Sequence, residues 1–253
     1  MRINVVSFNI RYKSDKNGHS IAERAPRIEK IVRDADADVI GFQEYTPAWE
    51  REVESRFGKD YGIFCRYRDD AEDVEASPIF WRKSRFELVE TTSFWLSDTP
   101  EVKSRGWDTD CTCYRMCVCA VLRERGTGEK LVLANTHFGF GVSCHEKSAR
   151  LIADRLAEYK GLPVVLTGDF NMTSNEPAYA VLLSRFTDVN AVTIRDSETT
   201  FHGYDPEHVR DQHIDYIFVG DGVRPCRFEI VRDRFDGGKF PSDHYALSAE
   251  LEL

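Results

Sequence analysis

Apolar and polar positions divide the chain into short blocks whose periods predict strands and helices in a layered order. Val5-Val6-Ser7-Phe8-Asn9-Ile10 reads as a buried strand. Ile28, Ile31, Val32 and Ala35 then fall at i, i+3, i+4 and i+7, which predicts a helix with Pro26 near its start. Val39-Ile40-Gly41-Phe42 predicts a second strand, running into Gln43-Glu44. The middle is richer in strands. Ile79–Trp81 and Phe86–Val89 are expected to pair, as are Met116–Leu122 and Leu131–Asn135 across the turn Gly126-Thr127-Gly128. Ser143 and Glu146 have capping-box spacing, so a helix should open there with Ala149, Ile152, Ala153 and Leu156 as its apolar face. Val164-Val165-Leu166 predicts a strand ending at Gly168-Asp169, and a helix should follow Asn175 with Pro177 in its first turn. Ile214–Val219, Phe228–Val231 and Tyr245–Leu251 complete the strands. This order predicts a layered α/β protein. There is no Pro-, Gly- or Ser-rich linker and no repeat, so residues 1–253 are expected to form one domain. The polar loops at 67–75 and 97–112 are expected to be pocket walls.

Composition narrows the function classes. With 42% hydrophobic and 12% aromatic residues in 253, the chain can bury a substantial core, which excludes disorder. A net charge of -9 suits a small or short substrate better than a long polyanion bound by counterion release. No apolar run approaches the ~20 residues that span a bilayer. Ile3–Ile10 is too short and interrupted for a signal peptide, so a cytoplasmic monomer without membrane contact is expected. Seven cysteines without a scaffold framework fit a reducing compartment. Cys111, Cys113, Cys117 and Cys119 are spaced more tightly than separated zinc knuckles, and the last two share a strand face. Small buried hydrophobes are the favoured reading and structural zinc the lesser one.

Five blocks share one layout, an apolar strand followed by residues able to hold metal or move protons. They are Phe8-Asn9, Gln43-Glu44, Thr136-His137, Gly168-Asp169-Phe170-Asn171, and His213-Ile214-Asp215-Tyr216 with Ser242-Asp243-His244. Strand carboxyl ends are where α/β sheets place ligands. Oxygen donors without cysteine suit a hard divalent cation such as Mg²⁺, with Glu44 the best first ligand and Asp243 and Asn9 its companions. A histidine beside a carboxylate supplies an oriented imidazole near neutral pH. Each block alone could be a turn or a solvated cap. Their recurrence in order favours catalysis.

These blocks resemble the endonuclease/exonuclease/phosphatase superfamily, whose members include deoxyribonuclease I, abasic-site endonucleases, inositol-polyphosphate 5-phosphatases, sphingomyelinases and deadenylases. The resemblance runs from Asn9 to His244 and rests most on Gly168-Asp169-Phe170-Asn171 and Ser242-Asp243-His244. It implies a four-layer α/β sandwich, two mixed sheets face to face with helices outside, and Mg²⁺-dependent (or Mn²⁺-dependent) hydrolysis of a phosphate ester. It implies that Asn9, Glu44 and Asp243 lie at the metal, and that Asp169 orients or deprotonates the attacking water. Asn171, His137 and His244 would contact the phosphate, with Asp215 the partner of His244. Arg115 would be a phosphate-contacting arginine. Glu75, seven residues before Arg82, would support His137, with Glu72 and Asp73 as nearby alternatives, and Gln43 would stand behind the site.

The departures select among members. Val165-Leu166-Thr167 and Met172-Thr173-Ser174 lack the tryptophan and arginine that flank this motif in the 5-phosphatases. Arg66 and Arg68 stand among Asp69, Asp70, Glu72 and Asp73 rather than in a basic DNA-gripping loop. No export signal of the kind common in sphingomyelinases is visible. What remains resembles a compact bacterial-type branch, through Phe94–Pro100, Gly106-Trp107-Asp108 and Thr200–Tyr204. Trp107, His202 and Tyr204 are the candidates for substrate contact. The expected function is a phosphatase or phosphodiesterase on a small molecule or short phosphodiester. A DNA or RNA nuclease is the first alternative. A non-catalytic binding module is the second, disfavoured because no expected carboxylate or histidine is missing.

Overall fold

The computed structural model describes residues 1–253 apart from 71–73, 108–110 and 112, so Glu72, Asp73 and Asp108 lie outside the described residues. Its strands sort into two mixed sheets of six. The first holds β1 (Arg2–Asn9), β2 (Val39–Gln43), β3 (Tyr61–Phe64), β4 (Ile79–Arg82), β11 (Arg224–Val231) and β12 (Ala246–Glu252), in the order β11-β12-β1-β2-β4-β3. The second holds β5 (Phe86–Trp95), β6 (Met116–Glu124), β7 (Lys130–His137), β8 (Val164–Asp169), β9 (Thr187–Asp188) and β10 (Asp215–Val219), in the order β5-β6-β7-β8-β10-β9. β1 runs parallel to β2 and β7 parallel to β8, while the other neighbours are antiparallel. The helices are α1 (Ile21–Asp34), α2 (Pro47–Phe57), α3 (Val142–Leu156), α4 (Pro177–Leu183) and the short α5 (Val189–Val192).

Period-two alternation divides each strand between two apolar layers. Val5, Val39, Leu133, Val165, Ile217 and Leu247 meet between the sheets. Val6, Phe8, Ile40 and Phe42 face outward against Ile28 and Ile31 of α1 and Trp49 of α2. Val132, Leu166 and Phe218 do the same against Ile152 and Leu156 of α3 and Leu182 of α4. The result is a four-layer α/β sandwich.

The inner faces change character along their length, and this positions the site. Alternation carries β1 inward through Ile3, Val5, Ser7 and Asn9, and β7 through Leu131, Leu133, Asn135 and His137. β8 runs through Val165, Thr167 and Asp169, and β10 enters at Asp215 before Ile217. One end of the inter-sheet layer is therefore apolar and the other polar. At the boundary, Gln43 Nε2 donates to Asn135 Oδ1 (2.8 Å), Thr167 Oγ1 donates to the same oxygen (3.1 Å), and Asn135 Nδ2 donates to the Phe42 carbonyl (2.7 Å). Gly41 lets the sheets close over this network, since a Cβ there would lie 2.2 Å from Thr167 Oγ1.

Several local expectations are corrected. Ile79–Trp81 and Phe86–Val89 do not pair: β4 lies between β2 and β3, while β5 pairs with β6 in the other sheet. Ile79, Trp81 and Phe86 instead face one another in the shared core, so the chain changes sheets in the intervening turn. α1 begins at Ile21, where Ser20 and Glu23 form a capping box, and Pro26 lies inside it. α3 is capped by the Gly141 backbone without a side-chain bond, so the Ser143–Glu146 capping box does not form. Cys111 forms a disulfide with Cys144, which removes it from any zinc tetrad and departs from the reducing-compartment expectation. Cys117 and Cys119 pack in the outer core as small hydrophobes.

Candidate active site

Four inner-face residues converge at the polar end of the sandwich. Asp169 ends β8 directly opposite Asp215, the first residue of β10, and both are 2% exposed. Asp169 Oδ2 accepts from Asn9 Nδ2 (2.9 Å), and its Oδ1 accepts from the Asn171 backbone N–H (3.0 Å). His244 Nδ1 lies 2.9 Å from Asp215 Oδ2, and its Nε2 is 3.8 Å from Asp169 Oδ2. His137 Nε2 lies 3.4 Å from that same oxygen. Asn171 holds a left-handed backbone (φ 49°) and donates from Nδ2 to the Phe138 carbonyl (3.0 Å), which fixes the turn after Asp169.

The charges follow from this packing. Burial, reinforced by Asp215, raises Asp169 from 3.8 to about 7. Burial alone would lower His244, but its bonded partner Asp215, with Asp169 and Asp243, outweighs it and raises the imidazole to about 10. His137 is pushed well below 6.5 by burial, then by Arg115 and Arg68, so it is neutral. One imidazolium thus stands between two carboxylates, and one neutral imidazole flanks them.

Asp169, Asp215 and His244 offer ligand atoms within 4.8 Å of one another, which is geometrically a possible metal set. Two of the three are already hydrogen-bonded to each other, His244 Nδ1 to Asp215 Oδ2 at 2.9 Å. Glu44 and Asp243 fit a hard divalent ion better. Glu44, at a left-handed backbone (φ 58°), accepts from Asn9 Nδ2 (3.2 Å) and the Tyr12 backbone N–H (2.8 Å). Asp243, 4% exposed, is raised by burial and meets Arg11 Nη1 at 3.3 Å and Ser242 Oγ at 3.2 Å. These are oxygen donors without thiolate, the donor set of Mg²⁺ or Mn²⁺ rather than zinc. Asn9, the other expected ligand, stands between Glu44 and Asp169. Its amide oxygen accepts from the Arg11 backbone N–H (3.0 Å), and its Nδ2 joins Glu44 to Asp169.

On the other side of His137, Glu75 Oε2 lies 3.8 Å from Nδ1, longer than a hydrogen bond, and 3.7 Å from Arg115 Nη1. Glu75 Oε1 pairs with Arg68 Nη2 at 2.8 Å. Arg82 is not near this group; it pairs with Asp36 and Asp38. Gln43 sits in the floor network beneath the site.

The three proposed substrate contacts fare differently. His202 is completely buried, its ring packed on Phe240 and Tyr245, and its backbone N–H donates to the Asp243 carbonyl (2.8 Å). It braces the turn that carries Asp243 and His244 and does not reach a substrate. Trp107 is half-buried against the outer core of the second sheet. Tyr204 is half-buried against the inter-sheet core, its ring 4.2 Å from His19.

Other residues at the site carry no motif. Arg11 pairs with Asp243, and Arg68 with Glu75. Thr200 Oγ1 accepts the Ile214 and Asp215 backbone N–H groups (3.0 and 3.1 Å), which fixes where β10 begins. Phe201 faces His244 at 4.9 Å, and Phe140, 58% exposed, stands 6.0 Å from the Arg115 guanidinium carbon. Their roles come from partners brought together by the fold, which leave no signal in local spacing.

Two face-to-face mixed sheets with a carboxylate–imidazole cluster at the polar end of their shared core define the deoxyribonuclease I-like class. Residues 145–244 match the model of the Endonuclease/Exonuclease/phosphatase family. A crystal structure of an endonuclease/exonuclease/phosphatase family protein from Bacteroides thetaiotaomicron superposes with a TM-score of 0.91 at 28% identity, covering 100% of this chain and 99% of that one. A mannosyl-6-phosphatase of the same organism superposes at 0.89 with 28% identity, covering 99% and 100%. The Ccr4 3'-5'-exoribonuclease subunit of the CCR4-Not complex from Yarrowia lipolytica is 21% identical over 91% of this chain and 43% of its own length. The chain spans between about a third and three fifths of the length of the curated relatives it matches. Over its full length this chain is similar to proteins of the endonuclease/exonuclease/phosphatase superfamily, and residues 145–244 carry the match to that family's model.

Proposed function

We propose that the chain hydrolyses a phosphate ester of a small molecule by direct, in-line attack of water with Mg²⁺, or Mn²⁺ in its place. The observation that carries this reading is Asp169: a buried carboxylate held by Asn9 and the Asn171 N–H, faced by two imidazoles, and raised to about 7. A general base works best with a pKa near the operating pH. Asp169 would take the proton of the attacking water as its oxygen bonds to phosphorus. His244, kept protonated by Asp215, would donate to a phosphoryl oxygen and stabilise the charge gathering there. His137 and Asn171 would hold the other phosphoryl oxygens. Glu44 and Asp243 would hold the metal, which when bound polarises the phosphoryl group and stabilises the leaving oxygen.

The inter-sheet core draws on both sheets, which supports one domain acting as a unit. The mannosyl-6-phosphatase of B. thetaiotaomicron, similar over nearly the full length of both chains, supports a small phosphorylated substrate. The match to the Ccr4 exoribonuclease subunit favours a nuclease as the second reading. A panel of sugar phosphates, inositol phosphates, nucleotides and oligonucleotides with Mg²⁺ and with Mn²⁺ distinguishes the two. Asp169→Asn is expected to lower kcat by ~10²–10⁴ on whichever substrate is cleaved. Near-normal turnover of that variant would remove Asp169 from the role of base.

A further inference from the structure

Beside the Asp169 cluster lies a second group in which, among the described residues, two guanidiniums meet at one carboxylate. Arg115 is 6% exposed, and its Nε and Nη1 are buried without hydrogen-bond partners. Among the described residues its ion-pair partner is Glu75 Oε2, at 3.7 Å from Nη1. That carboxylate already serves another guanidinium, since Arg68 Nη2 holds Oε1 at 2.8 Å. Arg68 is fixed where it stands: its backbone N–H donates to the Glu75 carbonyl (3.1 Å), and its own carbonyl accepts from Trp95 Nε1 (3.1 Å). The neighbouring imidazole, His137, is neutral. Among the described residues, the two guanidiniums therefore share the Glu75 carboxylate, with Asp169 acting on Arg115 from farther off. Keeping like charges buried with donors unpaired is costly unless an anion completes the group.

The location decides which anion. His137 lies 3.8 Å from Glu75 Oε2 through Nδ1 and 3.4 Å from Asp169 Oδ2 through Nε2. Glu75, to which both arginines pair, thus stands one imidazole ring away from the proposed base, and both guanidiniums act electrostatically on that ring, which places them toward the side of the site where a phosphate's non-bridging oxygens would lie. A phosphomonoester presents two negative charges and three such oxygens. A diester presents one charge and two oxygens, and must place a second organic group beside the guanidiniums. We propose that Arg68 and Arg115 form a clamp for the terminal phosphate of a phosphomonoester, and that Arg68 is the residue that sets preference for monoesters over diesters. This rests on the hydrolase reading above and names its substrate class.

The test uses one leaving group in two forms, p-nitrophenyl phosphate and its methyl diester, with Mn²⁺ and with Mg²⁺, on the wild type, Arg68→Gln and Arg68→Lys. Arg68→Gln should lose about tenfold or more in kcat/KM on the monoester, the scale of one hydrogen bond to a charged group. The loss should fall in KM, with the diester changed far less and Arg68→Lys recovering part of it. Separately, inorganic phosphate should raise the unfolding midpoint of the metal-free wild type and not that of Arg68→Gln. Equal losses on both esters, or a wild type that prefers the diester, would overturn the clamp while leaving the hydrolase reading intact. If the wild type cleaves neither ester nor any member of the substrate panel, the hydrolase reading fails. The phosphate-dependent midpoint then decides the clamp alone: a shift lost in Arg68→Gln supports it, and no shift in the wild type overturns it.

Discussion

Asp169 titrates near neutrality and His244 well above it, and the reaction needs the first as carboxylate and the second as imidazolium. Protonated Asp169 cannot accept the water's proton, so kcat/KM should fall as pH drops through about 7. His244 contributes as the imidazolium, so activity should fall again as pH rises through about 10. The plateau between them is the expected profile. Asp215→Asn removes the hydrogen-bonded carboxylate that raises His244, so the alkaline limb should move more than one pH unit lower and narrow the plateau. An alkaline limb that stays in place in Asp215→Asn would separate His244 from the chemistry. At this scale much was legible in advance: Asp169, Asp215 and His244 each interrupt an apolar pattern at a strand end with a chemically capable side chain. His202 misled because a histidine in a Gly- and Tyr-rich loop resembles a pocket residue. Only the tertiary packing of Phe240 and Tyr245 around it shows it to be core.

Elements supply the rigidity that those residues need, and Arg24 illustrates how. It lies on α1 with no exposed surface and donates to the backbone carbonyls of His19 (2.9 Å), Ile10, Arg11 (3.2 Å) and Lys13 (2.5 Å). Its guanidinium also covers the Trp49 ring at 4.9 Å. One side chain thereby pins the segment after β1 to the first helix, and with it Arg11, the partner of Asp243. Arg24→Met keeps much of the apolar stem but leaves these carbonyls without a donor. It should cost about 3 kcal/mol or more of folding stability, the scale of several lost bonds to a buried charge. Urea unfolding measures this directly, and a loss under about 1 kcal/mol would mean that the segment is held by something else. The sequence could not announce this role, because an arginine among Glu23, Arg27 and Glu29 looks like an exposed helical charge. The β4 and β5 pairing failed for a related reason. Two adjacent apolar strands look alike whether they form a hairpin or face each other across a sandwich, and only the packing of Trp81 and Phe86 in one core distinguishes the cases.

Across the whole molecule, a pair of arginines at the site stands against a negative background. The net charge is -9, yet among the described residues Arg68 and Arg115 both pair with Glu75, one imidazole ring from the proposed base. A long polyanion gains affinity from many phosphate contacts spread over a surface, each releasing a counterion, and repulsion from the acidic background works against that sum. A single terminal phosphate meets only the local group and is indifferent to most of the surface. Duplex DNA should therefore compete weakly with a small phosphomonoester even at low salt, where non-specific binding is strongest, while inorganic phosphate competes at much lower phosphate concentration. Turnover of the small substrate should also change little between 50 and 200 mM salt, an interval over which a protein making 6–10 phosphate contacts would lose ~10³–10⁵ in affinity for DNA. Inhibition assays with sheared duplex DNA at those two salt concentrations make the comparison. Strong inhibition at the lower salt that vanishes at the higher would reveal an extended nucleic-acid footprint, and would return the nuclease reading to first place.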